Sequence, residues 1–328
     1  MAWKNPWYDA ALSHHHPEGF RNPGGAAHKP GDLKRWREER KAQGYPHAPQ
    51  AGYPAFIQQW WQAVDLEKTG DGVWWLGHAS MLLRMSGQYL LIDPVLSSRA
   101  SPVPFAGPKR KTPVALDLAA LPQLDAILIS HNHYDHLDSQ TLRRLRRRFP
   151  DVKVFVPLGL KSWFTRRGFR EVTELDWWQQ AALPGITLHC VPAQHWSMRT
   201  PWDRNRSLWC GWVLEQPGTR FWFSGDSGFT PDLLDIPRRL GPVDVAALPV
   251  GAYAPRWFMG THHMDPQYAV FLWQQLGRPR AIPIHWGVFE LADESLDMPP
   301  QELAEALSAQ GEQADTFIPR RIGEFLPF

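Results

Sequence analysis

The stretch Ser130-His131-Asn132-His133-Tyr134-Asp135-His136-Leu137-Asp138 places three histidines and a carboxylate within six residues. Imidazole nitrogens and carboxylate oxygens together suit zinc and other borderline divalent metals. Just upstream, Asp125 to Ser130 is a short apolar run that reads as a buried strand. Extended backbone sends side chains i and i+2 to the same side, so His131 and His133 converge on one ion where the strand ends. Asp135 and His136 are adjacent; they need a turn, and they point at a second ion. A solvated polar loop has no reason to gather four such ligands at a strand end. The stretch reads as a metal site.

Working outward, three later segments repeat one pattern. Ile186 to Val191 leads to His195, Arg220 to Ser224 leads to Asp226, and Arg280 to Ile284 leads to His285. Each apolar run delivers one candidate ligand at its carboxyl end, where sites assemble in layered α/β architectures. Alone, a histidine or aspartate after a strand is structural more often than not; the shared position raises these three. Seven ligands exceed the four of a tetrahedral zinc and fit two ions sharing a carboxylate. The expected set is His131, His133 and His195 on one ion, and Asp135, His136 and His285 on the other. Asp226 and a hydroxide link them at about 3.5–4 Å. Asp93, at the end of the run Gln88 to Ile92, is either a turn residue or a group that orients a ligand imidazole.

The chain has 328 residues, enough for a large core, and 35 basic against 33 acidic side chains. That balance argues against nucleic acid as a partner. The run from Arg143 to Arg148 reads as the solvated face of a helix over Ser139–Phe149, with a phosphate or membrane-surface contact as the alternative. Cys190 and Cys210 sit in apolar runs and read as core thiols, compatible with a reducing compartment. No run approaches the roughly 20 apolar residues of a membrane span, and the first residues lack the apolar core of a signal peptide. The expected location is cytoplasmic, with peripheral membrane contact as an option. The 18 tryptophans read mainly as core, and otherwise as the wall of an apolar ligand site or a belt at a membrane surface.

Residues 1–70, rich in Pro, Gly, His and charge, read as an irregular arm packed on a domain over 71–328. Short helices are expected near Asp32–Gln43 and Ala55–Val64, and His14, His15 and His16 read as surface polar residues. From Val73 two strand-like runs, Val73 to Arg84 and Gln88 to Pro94, are joined at Ser86-Gly87, a hairpin signal. Ser97 to Thr112 reads as a loop, and Lys153–Val156 as a strand.

His131-Asn132-His133-Tyr134-Asp135-His136 has the HxHxDH form of the metallo-β-lactamase superfamily. The wider text resembles its branch of phospholipases D that hydrolyse N-acyl-phosphatidylethanolamine. The shared pieces include Trp75-Leu-Gly-His-Ala, Glu174-Leu-Asp-Trp-Trp, Gly225-Asp-Ser-Gly, Gly251-Ala-Tyr-Ala-Pro-Arg-Trp-Phe-Met and Ile284-His-Trp-Gly. They span about residues 73 to 300 in the family's order. The resemblance implies a four-layer αββα sandwich with two Zn²⁺ at one edge. It also implies cleavage of a phospholipid phosphodiester that releases phosphatidic acid and an N-acylethanolamine, with the bridging hydroxide attacking phosphorus. The ligands it implies fall on the seven residues already named, and the family's additional active-site histidine maps to His263. Here His262 stands where the animal enzyme has Gln, and Ser227 where it has Thr.

On this reading Asp135 and His263 are the candidate catalytic groups, with His263 protonating the leaving alkoxide or binding a phosphate oxygen. Tyr253 and Arg256 are candidates for holding the phosphate, and Trp257 and Phe258 for lining an acyl groove; packing within the loop is the alternative for all of these. The expected partner is a phospholipid or a small phosphodiester, and a homodimer is compatible with the sequence. Two rival readings stay open. One keeps the site and changes the bond, giving a lactonase or β-lactam hydrolase. The other is a non-catalytic, membrane-associated metal-binding module.

Overall fold

The computed structural model describes residues 3–25, 29–312 and 315–328. In chain order the strands are β1 His15–His16, β2 Gly19–Phe20, β3 Gly72–Trp75, β4 Met81–Met85, β5 Gln88–Ile92, β6 Ala126–Leu128, β7 Lys153–Pro157, β8 Glu171–Leu175, β9 Gln180–Leu183, β10 Ile186–Val191, β11 Gly211–Gln216, β12 Thr219–Phe223, β13 Val245–Pro249, β14 Arg280–Ile284 and β15 Phe325–Pro327. The α-helices are α1 Asp32–Gln43, α2 Gly52–Trp60, α3 Ser139–Arg148, α4 Lys161–Thr165, α5 Asp235–Leu240, α6 Arg256–Met259, α7 Pro266–Gln275 and α8 Met298–Ala309.

Two mixed sheets form the centre. One runs β15-β3-β4-β5-β6-β7-β8, the other β14-β13-β12-β11-β10-β9. Side chains alternate along the pleat, and both faces of the central strands are covered. Val73, Trp75, Leu83, Leu90, Ile92 and Leu128 face the second sheet and join Leu188, Cys190, Trp212 and Leu214 in one core. Trp74, Leu82, Leu91 and Ile127 face away and meet Leu142, Leu145 and Phe164 from α3 and α4. On the far side of the second sheet, α7 contributes Val270, Leu272 and Trp273. The layers are therefore helix, sheet, sheet, helix: the αββα sandwich.

Local chemistry explains the elements nearest the site. Asp138 caps α3, its carboxylate accepting from the Gln140 N–H at 3.0 Å. Thr141, Leu142 and Leu145 turn inward, and the arginines of the last turn complement the helix dipole. The β4–β5 hairpin closes at Ser86 and Gly87, both at positive φ, with Met85 paired to Gln88; this two-residue turn matches the strand twist.

Three expectations need correction. The run from Val73 to Arg84 is two antiparallel strands, Trp75 pairing with Met81; Leu76 to Ser80 form a turn that presents His78. The second helix is Gly52–Trp60, ending early because Trp61 turns extended and Gln62 donates to the Ile322 carbonyl. His14 and His15 are not surface residues. Both are buried, and their Nε2 atoms reach the two Asp176 carboxylate oxygens at 2.7 and 2.8 Å. His14 also stacks on Trp177 at 4.2 Å. The carboxylate that binds them lies 162 and 161 residues further along the chain.

Cys190 and Cys210 are buried free thiols. Trp74, Trp75, Trp209, Trp212, Trp222, Trp273 and Trp286 are fully buried, so much of the tryptophan content is core.

Candidate metal centre

The strand ends of both sheets open on one edge. Ser130 and His131 follow β6, Asp93 follows β5, His195 follows β10, Asp226 follows β12, and His285 follows β14. There the seven expected ligands come together. His131 Nε2 lies 2.9 Å from His133 Nδ1, and His195 Nε2 lies 3.1 Å from the same atom. Asp226 Oδ2 stands 3.0 Å from both His136 Nε2 and His285 Nε2, and 3.8 and 3.7 Å from His131 and His195. Asp135 Oδ2 is 3.5 Å from His136 Nε2 and from His285 Nε2. Asp226 thus sits between the two groups.

Four of the imidazoles have their outer nitrogen tied down. His131 Nδ1 meets Ser130 Oγ at 2.9 Å, His136 Nδ1 meets Asp93 Oδ2 at 2.7 Å, His195 Nδ1 meets the His262 carbonyl at 3.1 Å, and His285 Nδ1 meets the Gly251 carbonyl at 3.3 Å. A carbonyl only accepts, so His195 and His285 carry a proton on Nδ1, which leaves Nε2 as the nitrogen that faces the cluster. Outer partners of this kind orient metal-binding imidazoles. Asp93 also accepts from the Ser130 N–H at 2.7 Å, which couples the end of β5 to the metal loop. Gly251 must be glycine: a Cβ there would lie 2.2 Å from the His285 carbonyl oxygen.

The electrostatics match. Burial drives His131, His133 and His195 below the usual histidine range, His133 to about 4. At His285 burial works the same way, but Asp226 and Asp135 outweigh it and raise the pKa to about 9; His136 is raised likewise. Burial would raise Asp135 and Asp226, yet the histidines around them hold both well below the carboxylate range. His136 Nε2, His285 Nε2 and Asp226 Oδ1 are buried without a hydrogen-bond partner. Unpartnered buried atoms facing one another need an occupant, and nitrogen and carboxylate donors fit a divalent cation.

One residue absent from the expected set belongs here. His78 is buried, and its Nε2 lies 2.9 Å from Asp135 Oδ2. Burial lowers its pKa to about 4, so the ring is neutral and donates through Nε2. The sequence signal for it was its place in the shared piece Trp75-Leu-Gly-His-Ala, inside a run that reads as one strand.

A cleft of about 740 Å³ lies over the cluster. His133, Asp135, Asp226, His263 and His285 line its floor; Leu33, Trp36, Trp196, Met198, Phe258 and Leu291 line its walls. His263 stacks on His285 at 5.1 Å, with its Nδ1 buried and unpartnered. Among the four other expected substrate contacts, Phe258 alone lines the cleft. Tyr253 is fully buried in packing. Arg256 is engaged by Asp265 and Glu302, each at 2.7 Å. Trp257 lies under the Arg35 guanidinium at 4.1 Å. For those three, packing in and around the loop is what the structure holds.

The family described as the beta-lactamase superfamily domain matches residues 88–286. The chain belongs to that superfamily and is a metal-dependent hydrolase of the metallo-β-lactamase fold. Its relatives place it in the N-acyl-phosphatidylethanolamine phospholipase D-like branch. The N-acyl-phosphatidylethanolamine-hydrolyzing phospholipase D 1 of Caenorhabditis elegans is 40% identical over 76% of this chain and 74% of its own length. The mitochondrial enzyme so named in Saccharomyces cerevisiae is 34% identical over 72% of this chain and 52% of its own. Among solved structures, a metallo hydrolase from Ignicoccus hospitalis shares the fold with TM-score 0.59 at 22% identity, over 79% of this chain and 98% of that one. An isothiocyanate hydrolase from Delia radicum gut bacteria shares it with TM-score 0.61 at 19% identity, over 78% and 98%.

Proposed function

We propose that this protein is a dinuclear zinc phosphodiesterase of the phospholipase D type, acting on N-acylated phosphatidylethanolamine or a related phosphodiester. The observation that carries this reading is the apolar cleft standing directly over a cluster of five histidines and two aspartates. His131, His133 and His195 would hold one ion; Asp135, His136 and His285 the other; Asp226 would serve both. A pair of divalent ions supplies an acidified water and polarises the phosphoryl group.

The chain's own residues do the rest. The apolar walls exclude water and take up acyl chain, while the floor presents the reacting phosphate to the cluster. Asp93 and His78 hold the ligand side chains of His136 and Asp135 in place. Burial keeps the His263 ring neutral, so it suits donating an N–H to a phosphoryl oxygen better than delivering a proton to the leaving alkoxide. The names of the worm and yeast relatives support the lipid substrate.

The test is side-by-side assay of an N-acylated phosphatidylethanolamine, a lactone and a β-lactam. Release of phosphatidic acid from the first, with little turnover of the others, is the expected result. Preferential opening of the lactone would overturn the choice of bond, and no turnover of any ester by fully metal-loaded protein would overturn the enzyme.

A further inference from the structure

Outside the metal cluster, a second cavity of about 370 Å³ is lined by Arg143, Arg144 and Arg147 with Ser101, Pro102 and Tyr134. The three arginines are exposed, and none makes an ion pair among the described residues. Asp138, the one acid on this wall, is already occupied: it accepts from the Gln140 and Ser97 N–H groups and the Thr141 hydroxyl. Three unneutralised guanidinium groups on one concave wall select an anion, and phosphate above all.

The cavity opens beside the cleft. Tyr134 lines both, and Ala100 on the cleft wall is followed by Ser101 on the cavity wall. Two loops rise at this place. One leaves through Ser101 and Pro102 and is closed at its base by pairing of Arg99 with Lys109; it carries Phe105, 79% exposed. The other is closed by the Asn205 N–H donating to the Ser197 carbonyl; it carries Trp202, 74% exposed. Its Arg199 is fixed to the metal loop and α3 through the Asn132 and Leu137 carbonyls and the Ser139 hydroxyl. These two rings are the most exposed large apolar side chains among the described residues. Aromatic tips beside a cationic surface combine the two features that seat a protein in the headgroup region: charge for anionic lipid and rings for the interface.

We propose that this face, built from Arg143, Arg144, Arg147, Phe105 and Trp202, docks on an anionic phospholipid surface and turns the cleft mouth toward the bilayer. Delivery of a lipid into the cleft rests on the proposed function; the docking does not, and sedimentation reads it without turnover.

The experiment is co-sedimentation of the full chain with vesicles of phosphatidylcholine alone and of phosphatidylcholine mixed with phosphatidylglycerol. The unchanged protein should bind the mixed vesicles, and the binding should weaken as salt is raised. The variant Arg143→Ala, Arg144→Ala, Arg147→Ala should bind them about two orders of magnitude more weakly, at roughly fivefold per lost cation. A second variant, Phe105→Ala with Trp202→Ala, should lose the part of the binding that survives high salt. Both should keep their metal content and their rate on a soluble diester, which shows that the fold is intact. Equal sedimentation with both vesicle types, or equal sedimentation of the triple variant and the unchanged protein, overturns the proposal. So does saturable binding of inorganic phosphate with no vesicle binding, which would make the cavity a small-anion site.

Discussion

His78 and His285 face each other across the two sheets, and both hold the left-handed backbone conformation, at φ 53° and 67°. The His285 N–H donates to the His78 carbonyl at 2.9 Å, and the His78 N–H donates to the Trp286 carbonyl at 3.1 Å. Non-glycine residues rarely adopt this conformation and collect where function requires it. Asp93 and Ala252, next to the same cluster, share it. This clasp aims the His285 ring inward while the His78 side chain holds Asp135.

His78→Ala should therefore lower turnover by about 10- to 100-fold and weaken metal retention, the usual cost of losing an outer partner of a ligand. Elemental analysis after dialysis, paired with steady-state kinetics, checks it. His78→Asn, which can still donate to Asp135, should recover part of the loss. Full activity in the alanine variant would show that the contact positions nothing.

Asp176 is the corresponding test for the arm. Asp176→Ala removes the carboxylate shared by His14 and His15 and leaves two buried Nε2 atoms unsatisfied, a cost of about 2–4 kcal/mol. Limited proteolysis should then cut within the first 25 residues before the rest, and thermal unfolding should begin earlier. Burial raises the Asp176 pKa, but His14 and the Trp177 N–H outweigh that and hold it below the ordinary value. The stabilisation is therefore present above about pH 4 and is lost as the pH falls through the depressed pKa. An unchanged cleavage pattern in the variant would contradict the clamp.

The cluster makes its own pH prediction for protein stripped of metal. His285 and His136 have raised pKa values, so their contribution is full below about pH 6.5 and is lost as the pH rises, that of His285 through about 9. Asp135 and Asp226 are depressed, so theirs is present above about pH 4 and lost on acidification. His131, His133 and His195 are depressed, so theirs is full above about pH 6.5 and lost on acidification. Stripped protein should therefore be most stable near pH 6.5, and adding zinc at pH 7–8 should release protons. Thermal unfolding across pH and calorimetry in buffers of different ionisation heat check both. A melting temperature of stripped protein that rises from pH 6.5 to 9 would contradict the charge assignment.

Leu33 and Trp36 of α1 lie on the cleft wall; Trp36 stacks on Phe258 at 5.0 Å and donates to Asp293 at 3.0 Å. Leu33→Ala should raise KM for a long-chain substrate roughly five- to tenfold, within the range that hydrophobic pockets discriminate, and leave a soluble diester unaffected. Equal effects on both substrates would place the loss in the metal cluster instead.

The clustering of the side chains from His131 to His136 was legible because they are local: an alternating His-x-His at a strand end puts both rings on one side. His195, Asp226 and His285 were legible because layered sheets bring strand ends to one edge. His78 was not, because the turn that presents it interrupts a run of apolar residues that reads as one strand. The burial of His14 and His15 was hidden because Asp176 lies more than 150 residues away. Arg256 resembled a phosphate ligand, but Asp265 and Glu302, the latter far along the chain, engage it first. Local ligand geometry shows in sequence; competition between distant partners does not.

On the proposed function, seven side chains would hold two catalytic ions over which a phosphodiester is cleaved. Metal content and phosphatidic acid release, measured on one sample of unchanged protein and on Asp226→Ala, test it most directly. Two divalent ions per chain with robust release, and both lost together in Asp226→Ala with the fold kept, is the predicted result. Undiminished hydrolysis by metal-stripped protein, or by Asp226→Ala, would contradict it.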